Sequence, residues 1–211
     1  MTRRMILSNI IVVVVILLLA VFGIYFFYQN NHYLKTNDAV VSADMVQIVA
    51  PQSGLLVDWN LKEGETISEK DVVGQVSNGK TSRPVAAMMK GMIIKNEIRP
   101  NSMVQLGQVL AHEADMDHLY VMANIKETDL KDVSVGDNVD VKVDGDPGTI
   151  FNGKVKAIGY ATNSFFSALP TDNTSGSYTK VTQKVPVKIS ISDPSDKVLP
   201  GMNAEIKIAK K

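Results

Sequence analysis

IVAPQSGLLVDWNLKEGETISEKDVV, Ile48 to Val73, and VAAMMKGMIIKNEIRPNSMVQLGQVL, Val85 to Leu110, are one pattern written twice, 37 residues apart and without a gap. Ile48 falls on Val85, Ala50 on Ala87, Gly54 on Gly91, Leu61 on Ile98 and Ile67 on Val104. Each copy reads as short apolar strands broken by turn residues, and the turn chemistry repeats with them. Gly54 and Gly91 permit close backbone approach, and Gly64 falls on Asn101, which next most readily enters the left-handed region. One copy alone would leave a sheet face in water, whereas two copies stacked face to face share a core. The expected unit is a small sandwich of two similar halves, 48–76 and 85–110, joined by the turn Ser77-Asn78-Gly79-Lys80.

The surrounding chain sets the context. Met5 to Tyr28 is uncharged, and 24 residues of helix span about 36 Å, enough to cross a bilayer. The run ends in Phe22, Tyr25, Phe26, Phe27 and Tyr28, aromatics suited to a membrane interface, and Arg3 and Arg4 precede it. The expectation is an uncleaved single-pass anchor over 1–28, with its N-terminus cytoplasmic and the rest of the chain on the outer face of the cytoplasmic membrane. The full chain carries 22 basic and 22 acidic residues, which leaves no basic footprint for nucleic acid. The absence of cysteine removes disulfides, thiol catalysis and Cys-ligated zinc.

Residues 29–37 read as a polar linker, and Ala39 to Val49 as one strand, of which 38–47 is expected to join the second domain. The sandwich is expected over 48–111 and a charged connector over 112–118. From 119 to 211 short strands alternate with turns: Leu119 to Ile125, Asn138 to Val143, Gly153 to Ile158, Val185 to Ile191 and Ala204 to Ile208. That spacing predicts a small closed or nearly closed β-barrel. One short helical stretch is predicted over Lys126 to Val133. The predicted fold class is thus an all-β ectodomain, sandwich plus barrel, behind one transmembrane helix.

These residues carry a resemblance. V-A-P-Q-S-G-L-L-V at Val49 to Val57, E-G-E-T-I at Glu63 to Ile67 and V-Q-L-G-Q-V-L at Val104 to Leu110 resemble a biotinyl/lipoyl-type domain. K-E-T-D-L at Lys126 to Leu130, V-G-D-N-V at Val135 to Val139 and L-P-G-M at Leu199 to Met202 are similar to the β-barrel of HlyD-family membrane-fusion adaptors. Ala161 to Ile189 is similar to the EmrA-type multidrug-efflux branch. The resemblance implies a non-enzymatic adaptor without cofactor that scaffolds an integral-membrane drug:proton antiporter of the major facilitator class and assembles as rings or other multiples. Relatives serving double-membrane cells carry a long α-helical hairpin between the lipoyl halves. Ser77 to Pro84 is too short for one, so an outer-membrane channel is not an expected partner. Two alternatives stay open: an accessory of an ATP-driven peptide or protein secretion exporter, and a lipoyl- or biotin-type carrier.

The candidate sites are few. Lys80 sits where carrier domains place their modified lysine, but Asn78, Gly79 and Thr81 do not fit a biotin acceptor. Met89-Lys90-Gly91-Met92 imitates that motif out of register, since Gly91 pairs with Gly54. His112, Glu113, Asp115, Asp117 and His118 are types that bind metals, but with no ordered element to fix them as ligands they read as a solvated connector between the two domains, and no metal is expected. No residues stand in a recognisable catalytic constellation. Phe165, Phe166 and Leu169 lie in a long polar connection, Tyr160 to Lys180; they either tuck onto the barrel or contact a transporter or the bilayer. Asn173-Thr174-Ser175 fits a glycosylation sequon, a frequent chance match. Trp59, the only tryptophan, falls on Asn96 in the repeat and is read mainly as packing.

Overall fold

The structure is a computed structural model and describes residues 11–24, 33–166 and 181–210. Residues 11–24 form a helix of exposed, almost wholly apolar side chains. No helix among the described residues is long and apolar enough to cross a membrane, and the rest of the expected Met5 to Tyr28 span lies outside them. The strands in chain order are β1 (Tyr33–Thr36), β2 (Ala39–Ser42), β3 (Met45–Val49), β4 (Gly54–Val57), β5 (Thr66–Ile67), β6 (Val72–Ser77), β7 (Ser82–Ala86), β8 (Gly91–Asn96), β9 (Met103–Val104), β10 (Val109–Ala114), β11 (Tyr120–Lys126), β12 (Asn138–Val143), β13 (Phe151–Ile158), β14 (Lys184–Ile191) and β15 (Ala204–Ala209). The helical stretch predicted over Lys126 to Val133 is a single 3-10 turn, Leu130–Asp132.

The sandwich consists of two four-stranded sheets, β3-β10-β8-β5 and β7-β6-β4-β9. Adding or subtracting 37 residues turns one order into the other, so the sequence repeat is a pseudo-twofold axis in space. The expected picture of one copy stacked on the other needs correction. Each sheet takes two strands from each copy, because β4 and β5, and likewise β8 and β9, lie in opposite sheets. This interleaving leaves neither half a complete sheet. The symmetry holds down to single hydrogen bonds: Gly64 N–H donates to Ile93 O at 2.8 Å, and its mate Asn101 N–H donates to Leu56 O at 2.9 Å. Between the sheets Ile48, Leu56, Val76, Ile93 and Leu110 are fully buried, each contributing about 1.5–3 kcal/mol.

The barrel is a seven-stranded antiparallel sheet, β1-β15-β12-β13-β14-β11-β2. Val40 also bridges Asn203 just before β15, which nearly closes the sheet on itself. Strict alternation fills it, with Val139, Val141 and Val143 on β12 and Val185, Val187, Ile189 and Ile191 on β14 all pointing inward. The two ends of the barrel differ. Ser42, Tyr120 and the 192–203 segment lie at the sandwich end, while Tyr33, the end of β13, the start of β14 and the end of β11 lie at the other.

Three expected boundaries move. Tyr33–Thr36, placed in the 29–37 linker, is a strand paired along its length with β15; its one inward side chain, Leu34, is too faint a pattern to see. The single strand expected over Ala39 to Val49 breaks at Ala43-Asp44 into β2 of the barrel and β3 of the sandwich, so only part of 38–47 joins the barrel. The 112–118 connector begins later, because His112, Glu113 and Ala114 belong to β10, bonded to β3 on one side and β8 on the other.

Candidate functional site

The turn residues singled out in the sequence occupy the pseudo-symmetric corners. A Cβ on Gly91 would lie 2.6 Å from the Ala114 carbonyl oxygen, and one on Gly54 would collide with the Ser77 carbonyl, its mate. Gly64 and Asn101 both take left-handed backbone, at φ 83° and 60°. Trp59 is buried on the axis itself, where its Nε1–H donates to Asn96 Oδ1 at 3.2 Å. Gly74 leaves room for that indole.

Lys80 lies at the tip of the β6–β7 hairpin, farthest from the barrel. Asn78 Oδ1 closes this turn by accepting from Lys80 N–H at 2.9 Å and Thr81 N–H at 2.8 Å. The strands on either side run directly into the turn, with no helical hairpin between them.

The five candidate metal ligands do not converge. His112 Nε2 faces Glu97 at 3.6 Å, His118 Nδ1 bonds Asp115 at 2.7 Å, and Asp117 takes Lys90 Nζ at 2.6 Å. Burial opposes ionisation of Asp115, but the His118 bond and backbone N–H groups hold its carboxyl below the usual range. Glu113 is buried and turns toward the β7–β8 loop. No group of three or more such side chains among the described residues is placed to hold a metal.

The barrel end remote from the sandwich is the more elaborate surface. Asp38 Oδ2 accepts from Lys184 Nζ at 2.7 Å and its Oδ1 from Asn124 Nδ2 at 2.9 Å. Asn124 Oδ1 in turn accepts from Asn163 Nδ2 at 2.8 Å. The Lys184 ammonium, then Asn124, hold the Asp38 carboxyl below its ordinary range. This relay ties both roots of the 159–183 connection to the strand that enters the barrel, beside an open groove of about 460 Å³. In the described parts of that connection Tyr160, Phe165 and Val181 are exposed, Phe165 at 76%. The Phe166 side chain and Leu169 lie outside what the structure describes. Tyr160, named in the sequence only as the start of the connection, follows a bulge between Val155 and Ala157 that shifts the alternation of β13.

The architecture is a lipoyl-type sandwich in series with a small, nearly closed β-barrel. Residues 44–115 match the barrel-sandwich hybrid domain described for YhbJ, and residues 119–208 match the YknX-like β-barrel domain. The chain is 54% identical over 206 residues to a Bacillus subtilis protein named "Putative efflux system component YhbJ", covering 98% of this chain and 93% of that one. It is 33% identical over 130 residues to the colistin resistance protein EmrA of Acinetobacter baumannii, covering 61% of this chain but 36% of that longer protein. In fold it resembles the membrane fusion protein Spr0693 of Streptococcus pneumoniae, at a TM-score of 0.57 and 14% identity over 85% of this chain and 99% of that one. The chain belongs to the HlyD family of membrane-fusion adaptors.

Proposed function

We propose that this chain is the single-pass adaptor subunit of a multidrug efflux system, anchored in the cytoplasmic membrane and scaffolding a transporter on its outer face. The observation that carries the reading is the polarity of the ectodomain. Tyr33, where the chain enters the barrel, lies at the same barrel end as the Asp38–Asn124–Asn163–Lys184 relay and the exposed Tyr160, Phe165 and Val181. Eight residues separate Tyr33 from the apolar helix 11–24, and a chain of that length reaches at most about 28 Å. The rim is therefore held within reach of the membrane and of whatever protein stands in it.

The partner in this reading is a drug:proton antiporter of the major facilitator class, with several adaptor copies around its outer exit. The adaptor itself supplies no chemistry; it orders the exit. Its short β6–β7 turn suits an envelope with a single membrane, since nothing there extends toward an outer-membrane channel. Replacing Phe165 and Phe166 by Ser tests the docking rim. The expected result is loss of drug export and of the adaptor–transporter complex with Trp59 fluorescence unchanged. Full export with an intact complex would remove these residues from the interface.

A further inference from the structure

Glu113 is fully buried in the sandwich near its joint with the barrel. Its Oε1 accepts the backbone N–H groups of Met88 and Met89, both at 2.9 Å, and its Oε2 meets no donor among the described residues. The pseudo-symmetric position at the other end of the sandwich is Val76. There the equivalent turn is closed by the neutral Gln52 amide, which donates to the Val76 carbonyl. The same corner is thus closed once by a neutral group and once by an acid with an orphan oxygen. Burying a carboxylate without a cationic partner is costly unless it sheds its charge.

The turn that Glu113 holds is mechanically connected. Lys90, the next residue along, bonds Asp117 in the segment that leads from the sandwich into the barrel, and Asp115 N–H in that segment donates to Asp44 O on the other crossing strand at 2.9 Å. We propose that Glu113 is a proton-operated latch on this joint. With a proton on the carboxyl the acid stays buried and the Met88–Lys90 turn stays shut. When the proton leaves to solvent, the carboxylate draws water in, the turn opens and Lys90 loses its fixed position against Asp117.

The charged groups around Glu113 are all engaged elsewhere. On its own strand His112 faces Glu97, which also takes Lys95 of β8. On the turn Lys90 is held by Asp117. Beneath the turn Asp71 accepts from Ser68 N–H and Lys70 pairs with Glu69. At the barrel side Asp44 pairs with Lys188, and Asp115 with His118. β3 presents only Met45, Val46 and Gln47. Burial pushes the Glu113 carboxyl above its ordinary value of 4.5, partly opposed by the two backbone N–H groups. The closed state then holds a proton that the open state releases, so closure weakens as pH rises through the window above 4.5.

The test is amide hydrogen exchange at Met88 and Met89 in the full chain, corrected for intrinsic rates, alongside a carboxyl NMR titration of Glu113. Protection is expected to be greater in mildly acidic than in neutral buffer, by up to about tenfold per unit of pKa elevation. In Glu113→Gln, and in Glu113→Val, which copies the symmetric site, protection is expected to lose its pH dependence. A Glu113 carboxyl titrating at or below the ordinary glutamate value, or protection that is flat or rises with pH in the wild type, would overturn the latch.

Discussion

Gly91→Ala probes the backbone contact on which the interleaved sandwich depends. The new Cβ would sit 2.6 Å from the Ala114 carbonyl oxygen and 3.0 Å from its carbon. An unstrained contact needs roughly 3.5 Å, so β8 must move from β10 by close to an ångström. Both are inner strands of one sheet, and the clashing atoms are backbone, which cannot swing aside. Overpacking of this kind costs about 1–3 kcal/mol, and the immobility of both partners places Gly91→Ala at the upper end. For a domain of this size each kcal/mol shifts Tm by about 4–8 °C, so a loss of about 2–3 kcal/mol lowers the sandwich transition by about 8–24 °C. Trp59 lies inside the sandwich and reports its unfolding by fluorescence. A shift below about 2 °C, less than 0.5 kcal/mol on that scale, would refute the close-approach argument.

The other expectations concern single positions. Lys70 is exposed and strained at φ 71°, while its mate Gly107 takes φ 78° without a side chain. Lys70→Gly is expected to change stability by no more than about 1 kcal/mol, and in the favourable direction, as relief of left-handed strain outweighs added chain entropy; a clear loss in thermal melts would contradict this. Asp38 is held below its ordinary value of 3.8 chiefly by Lys184. A depressed folded value means that the pair stabilises the protein above 3.8 and that this is lost as pH falls through the folded value. Both side chains are partly exposed, so Lys184→Met should cost at most about 1 kcal/mol near neutrality and return the Asp38 carboxyl titration toward 3.8. An Asp38 titration unmoved by the substitution would show that the ion pair does not set it.

The 37-residue register was legible because equivalent residues do equivalent work: the same glycine approaches the same carbonyl, and the same left-handed turn carries Gly64 or Asn101. Which strand pairs with which was not legible, since a repeat states equivalence and not partnership, and both stacked and interleaved sheets satisfy it. The break at Ala43-Asp44 lacks the glycine or proline that marks most strand ends. Glu113 was the most recoverable miss. Carrying the register three residues past Leu110 sets it on Val76, an inward position on β6, and would have moved it from a solvated connector into the core. The barrel rim was half visible: Phe165 stood out as an aromatic in a polar loop, whereas the Asp38–Asn124–Lys184 relay joins residues up to 146 positions apart and has no local signature.

The most direct measurement of the adaptor role is site-specific photocrosslinking from Tyr160 and Phe165 in intact cells. The tagged chain is then purified in mild detergent and the captured protein identified together with the adaptor's intact mass. The expected product is a multi-pass antiporter of the major facilitator class joined to an adaptor of unmodified mass. Capture of an ATP-driven exporter instead would reassign the partner. No integral-membrane protein at either position, with a mass increment on Lys80, would contradict the scaffold account itself.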